Sequence, residues 1–85
     1  MGELSTLPNI GKVVEEQLNQ AGIHTIQQLK DTGAESAWLM IQAFDSSACM
    51  NRLLGLEGGI QGIKKTLLSD TRKAELKDFY RAHKL

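Results

Sequence analysis

Apolar residues recur at intervals of three and four along almost the whole chain, and no segment alternates with the period of two that a half-buried strand requires. That periodicity dictates an all-α fold, and small polar residues and glycines mark where each helix begins and stops. Pro8 and Asn9 set a turn. From Gly11 onward Val14, Leu18 and Ala21 share one face, until Gly22 ends the helix as a left-handed C-terminal residue can. Thr25 and Gln28 form a capping box, each side chain satisfying the other residue's free backbone donor, and open a second helix whose buried face holds Ile26 and Leu29. In a third helix Ala37, Trp38, Ile41 and Phe44 lie on one stripe, and Asp45, Ser46 and Ser47 break it. Cys49, Leu53, Leu56 and Ile60 follow on one face of a fourth. Ser69 caps a fifth, with Asp70 in the first turn where a negative charge suits the helix dipole, and Leu76, Phe79 and Tyr80 on its buried side.

These signals predict helices over residues 11–21, 26–33, 35–44, 48–67 and 70–83, a short helical turn at 3–6, and a break in the fourth helix at Gly58-Gly59. The expected architecture is a compact five-helix bundle forming one domain over residues 1–85. Its core is expected to hold Trp38, Ile41, Phe44, Leu53, Leu56, Leu76 and Phe79, with Cys49 buried and inert among them. A chain of this length buries roughly 60% of the surface its unfolded form exposes, which leaves little room for an enclosed active site.

Composition narrows the function classes. Ten Lys and Arg balance ten Asp and Glu, which argues against a protein living on non-specific attraction to DNA, since that attraction comes from phosphate neutralisation. The distribution is uneven. Residues 1–45 hold two basic against six acidic residues, a net of minus four, and residues 46–85 hold eight against four, a net of plus four. The one cysteine supplies neither a disulfide nor a zinc cluster, the N-terminus lacks the basic-then-apolar order of a signal peptide, and no run is long and apolar enough to span a membrane. A cytoplasmic location is expected. His24, His83 and Cys49 are far apart in sequence and form no nucleophile and base constellation, so neither an enzyme nor a cofactor or metal site is expected.

Three clusters remain as candidate contact surfaces. In Leu7-Pro8-Asn9-Ile10-Gly11-Lys12 the turn resembles the apolar-Gly-x-Gly hairpin of DNA-gripping helix-hairpin-helix modules, with Asn9 in place of the first glycine. Asn tolerates the left-handed conformation, and Gly11 and Lys12 offer amides and a charge to a phosphate. Glu15 and Glu16 follow within one turn and oppose that, so a purely structural turn with Ile10 buried stands beside the phosphate reading. In LEGGIQGIKK, Gly55, Gly59 and Gly62 share a helical face on which a second helix could pack closely, the alternative being an anion-binding loop before Lys64 and Lys65. Lys73, Lys77, Arg81 and Lys84 line one side of the last helix, as an electrostatic surface or as an ordinary solvated face.

At LPNIGKVVEEQLNQAGI, TIQQL, LLGLEGGIQGIKKTLL and AELKDFY the chain resembles, over nearly its whole length, the C-terminal domain of the TfoX (Sxy) family of bacterial competence regulators. The resemblance implies a small helical bundle with a helix-hairpin-helix-like N-terminal half, in proteins linked to transcriptional control of DNA uptake. Two non-enzymatic functions follow as expectations: a regulatory module touching DNA phosphates through Asn9, Gly11, Lys12, Lys64, Lys65, Lys73, Lys77 and Arg81, or an adaptor that engages a regulatory protein or a second copy of itself.

Overall fold

Trp38 lies at the centre of the bundle with no exposed surface, and the apolar stripes of the surrounding helices converge on it. The structure, a computed structural model, describes residues 2–85. Its helices are α1 (Lys12–Gln20), α2 (Ile26–Thr32), α3 (Ala34–Gln42), α4 (Met50–Gln61) and α5 (Asp70–His83), with single 3-10 turns at Leu4–Thr6 and Lys65–Leu67. Among the described residues there is no strand. The fold is an all-α bundle, and α5 occupies the interval its cap predicts.

The start and stop signals act as their chemistry requires. Gln28 N–H donates to Thr25 Oγ1 at 3.0 Å while Thr25 N–H donates to Gln28 Oε1 at 3.2 Å, a complete capping box. Arg72 N–H donates to Ser69 Oγ at 3.1 Å. Gly22 and Gly62 take φ of 90° and 75°. In each case the following residue donates five positions back, Ile23 to the Leu18 carbonyl at 2.8 Å and Ile63 to the Gly58 carbonyl at 2.9 Å, so α1 and α4 end in the same left-handed motif.

Three expectations are corrected. The fourth helix neither breaks at Gly58-Gly59 nor reaches residue 67. It runs through both glycines and stops at Gln61, because Gly62 adopts the left-handed conformation and Lys65–Leu67 restarts as a separate 3-10 turn. Phe44 is 47% exposed: α3 ends at Gln42, so the helical stripe that would have buried Phe44 no longer applies to it. Cys49 is exposed rather than buried, because it is the N-cap of α4, with extended backbone and its carbonyl accepting the Trp38 indole N–H at 3.1 Å. The remaining expected core stands, with Trp38, Ile41, Leu53, Leu56 and Leu76 buried and Phe79 half-buried at its edge. Phe79 and Tyr80 present their rings edge-on to Trp38, at centroid distances of 6.1 and 5.7 Å, which is how α5 attaches to α3.

Candidate functional site

Asn9 organises the N-terminal turn. Its φ is 68°, the only positive value outside glycine among the described residues, so the chain reverses here by the left-handed route that Asn accepts. Its amide reaches across the fold: Nδ2 donates to the Ile63 carbonyl at 2.9 Å and Oδ1 accepts from Lys65 N–H at 3.1 Å. The turn at 8–11 and the loop at 62–66 are thereby pinned together. The glycines of α4 permit this. A Cβ on Gly58 would stand 2.5 Å from Asn9 Nδ2 and 2.8 Å from the Ile63 carbonyl oxygen, and one on Gly59 would stand 2.7 Å from Ile10 Cδ1. The small-residue face of α4 therefore receives a backbone turn, not a second helix, and it comprises Gly55, Gly58 and Gly59, since Gly62 caps the helix instead.

Gly11 and Lys12 continue from this turn into α1. Gly11 is the N-cap, supplies no side-chain cap and has ordinary extended backbone, and both it and Lys12 are exposed. Glu15, one turn on, is engaged with the N-terminal segment. It is buried, and its carboxylate accepts Gly2 N–H at 3.3 Å and Ser5 N–H at 3.1 Å, tying the Leu4–Thr6 turn to α1. Burial opposes its charged form, but the Ser5 and Gly2 N–H groups outweigh that and hold the carboxyl below its ordinary range.

The remaining basic candidates lie on the loop that follows α4 and on α5. Lys73 Nζ donates to the Thr66 carbonyl at 3.1 Å, which sets the start of the α5 strip beside Lys64 and Lys65. Lys77 and Arg81 are exposed one and two turns further along α5. Asn9 thus bonds Lys65 directly, Lys73 bonds the adjacent Thr66, Lys64, Gly11 and Lys12 adjoin these through the chain, and Lys77 and Arg81 continue along α5. Among the described residues no pocket and no metal-ligand cluster is present.

The two arginines that lie off this strip are engaged elsewhere. Arg72 binds Glu35 of α3 with both guanidinium nitrogens at 2.8 and 2.9 Å, Glu57 of α4 at 2.9 Å and Glu75 of its own helix at 3.4 Å. One arginine so ties three helices together. Its hydrogen bonds hold the Glu35 carboxyl below the usual range, and its own pKa rises through the same bonds. Arg52 pairs with Asp45 at 2.9 Å. Asp45 also accepts from the Ser47 hydroxyl and N–H and from Gln17 Nε2, and the Ser47 contacts first, then Gln17 and Arg52, lower its pKa to about 2. Local sequence patterning could not reveal the pair between Arg72 and Glu35, which with Arg52–Asp45 joins the acidic first half to the basic second half and reduces the expected bipolarity.

An all-α module with two pinned turns and a cationic helix edge is the class these features define. The TfoX C-terminal domain profile matches residues 1–80. The chain belongs to that family. It is 33% identical over 76 residues to Protein Sxy of Escherichia coli (strain K12), a match covering 89% of this chain and 36% of that protein, so the chain spans about a third of its relative's length. Two solved structures of an uncharacterized Listeria monocytogenes protein share the fold. The triclinic form is 51% identical with a TM-score of 0.92, covering 93% of this chain and 90% of that one. The tetragonal form is 50% identical with a TM-score of 0.92, covering 94% and 98%.

Proposed function

We propose that this domain is a non-enzymatic regulatory module of the competence type, acting in the cytoplasm, that contacts DNA phosphates through the helix-hairpin-helix-like turn at Asn9–Lys12 and the basic residues Lys64, Lys65, Lys73, Lys77 and Arg81. The observation that carries this reading is the way charges are paired or buried within the fold. Glu15 is buried, and Glu35, Asp45 and Glu57 are held by Arg72 or Arg52. That leaves six acidic residues (Glu3, Glu16, Asp31, Asp70, Asp78, and Glu75 at the exposed edge of the Arg72 cluster) against eight cations in no ion pair among the described residues (Lys12, Lys30, Lys64, Lys77, Arg81, Lys84, and the half-buried Lys65 and Lys73). A chain of zero net charge presents a surplus of two cations, and most of the eight lie on α5 and the loop before it. Phosphate binding draws on such free Lys and Arg.

A second reading, the protein-interaction adaptor, is favoured by Met40 and Phe44, which stand 44% and 47% exposed at the end of α3. A salt titration of duplex binding separates the two. Under the DNA reading the logarithm of affinity falls linearly with the logarithm of salt, by about 0.9 per phosphate contact. Lys12→Glu and the pair Lys73→Glu with Lys77→Glu each weaken binding. No association at low salt would leave the adaptor.

A further inference from the structure

Resting on the DNA reading, a narrower question is what form of nucleic acid this surface suits. Single-strand binders add aromatic platforms to a basic groove, because stacking on exposed rings supplies about 1–3 kcal/mol per base. This chain has four such rings. Trp38 is wholly buried, and Phe79 and Tyr80 are half-buried with their edges against it. Phe79 is further stacked on His83 at 4.1 Å. Phe44 follows α3, on neither α5 nor the loops around Asn9. The basic strip therefore has no fully exposed ring of its own on which a base could stack.

Sequence reading in a duplex groove needs free Arg, Asn or Gln forks aimed at base edges. Around this strip all but one of the Arg and Asn forks are engaged. Both polar atoms of the Asn9 amide hold the loop at Ile63 and Lys65. Arg72 is committed to three carboxylates and Arg52 to Asp45. The strip is left with lysines, which act as point charges, and with Arg81. Its α5 part, from Lys73 to Arg81, rises through eight steps of rigid helix, about 12 Å at 1.5 Å per residue, against a rise of roughly 3.4 Å per phosphate along one strand. Such a line of charges matches about three successive backbone phosphates and, with Arg81 its one free fork, is too sparse in forks to spell out a sequence.

We propose that the strip formed by Lys64, Lys65, Lys73, Lys77 and Arg81 docks on the sugar–phosphate backbone of double-stranded DNA without regard to sequence, so that this domain supplies attachment and leaves site selection to another part of the machinery. The test is fluorescence anisotropy at low salt, with a duplex and the corresponding single strand of equal length, together with selection from a random-sequence duplex pool. The expected result is duplex binding several-fold tighter than single-strand binding, a pool whose base frequencies are unchanged after selection, and an equal loss of affinity for all duplexes in Lys73→Gln/Lys77→Gln/Arg81→Gln. Emergence of a motif from the pool, or single-strand affinity equal to or above that of the duplex, overturns the inference while leaving DNA binding in place. No association with either probe overturns the DNA reading itself, and this inference with it.

Discussion

Helices α4 and α5 are neighbours of similar length, built on opposite principles. In α4 six of twelve residues are buried, three of them glycines, and the helix works through side chains it lacks: Gly55, Gly58 and Gly59 let the Asn9 turn settle on its backbone. In α5 only Leu76 of fourteen residues is fully buried, and the helix works through the side chains it projects, with Arg72 reaching inward and Lys77 and Arg81 outward. Stability is concentrated where the chain is stripped down and contact chemistry where it is built up. Substitutions should separate the two.

The largest effect is expected where both helices meet the core. Trp38 touches α5 through Phe79 and Tyr80 and the start of α4 through the Cys49 carbonyl. Trp38→Ala should cost about 3–5 kcal/mol, the range for truncating a large buried aromatic. In a domain of this size that is a fall in Tm of roughly 12 °C or more. A thermal melt matching the parent would break the assignment of Trp38 as the shared anchor.

Next comes the glycine face. Alanine is the better helix former by about 1 kcal/mol, so on propensity alone Gly58→Ala should stabilise α4. The new Cβ instead meets Asn9 Nδ2 and the Ile63 carbonyl, both well inside contact distance. The carbonyl is backbone and cannot swing away, so overpacking should win, for a net loss of about 1–3 kcal/mol. Gly11→Ser provides the contrast. Nothing lies within 4 Å of its added atom and its φ is −93°, so a serine there supplies the missing cap and should gain a few tenths of a kcal/mol. Denaturant midpoints measure both, and the comparison fails if their signs agree.

Acid should erode the ion-paired side of the molecule. Glu15, Glu35 and Asp45 all have folded pKa values below their ordinary ones, Asp45 going from 3.8 to about 2. A carboxyl with a depressed folded pKa contributes stability that is complete above its unfolded pKa and is lost as pH falls through the folded value. Urea midpoints should hold steady above about pH 5 and fall between about pH 4 and pH 2, over the range those carboxyls titrate. Asp45→Asn should flatten part of that fall. An unchanged slope in the variant would mean that Asp45 does not report on folding.

How much of this was legible beforehand follows sequence distance. The caps at Thr25 and Ser69, the stop at Gly22 and the buried stripes involve residues within about one turn of each other, and periodicity with capping chemistry exposes them, whereas Gly62 was read as part of a helical face and not as the stop it is. Phe44 and Cys49 went wrong because each stripe was carried past the end of the helix that bears it: α3 stops at Gln42, and Cys49 is the extended N-cap just before α4 begins at Met50. The bonds from Asn9 to Lys65 and from Arg72 to Glu35 join residues 56 and 37 positions apart, and local patterning cannot see them. The eight candidate site residues were visible as types. That Asn9 is a pin, and that Lys73 begins a strip beside Lys65, came only with the fold.

The smallest stability effect should fall on the outer edge of α5. Lys77 and Arg81 are exposed and take part in none of the ion pairs among the described residues, which use Arg52 and Arg72 alone. Lys77→Gln and Arg81→Gln keep long polar side chains with good helix propensity, so each should change unfolding free energy by no more than about 0.5 kcal/mol. Arg81 also sits in the last turn of α5, where a cation complements the helix dipole, so its loss should be the larger of the two and the more sensitive to salt. Urea titrations at low and high salt would resolve this. A cost above about 1 kcal/mol for Lys77→Gln would exceed the range for an unengaged surface residue and would mean that α5 uses its outer face for folding, erasing the division of labour with α4.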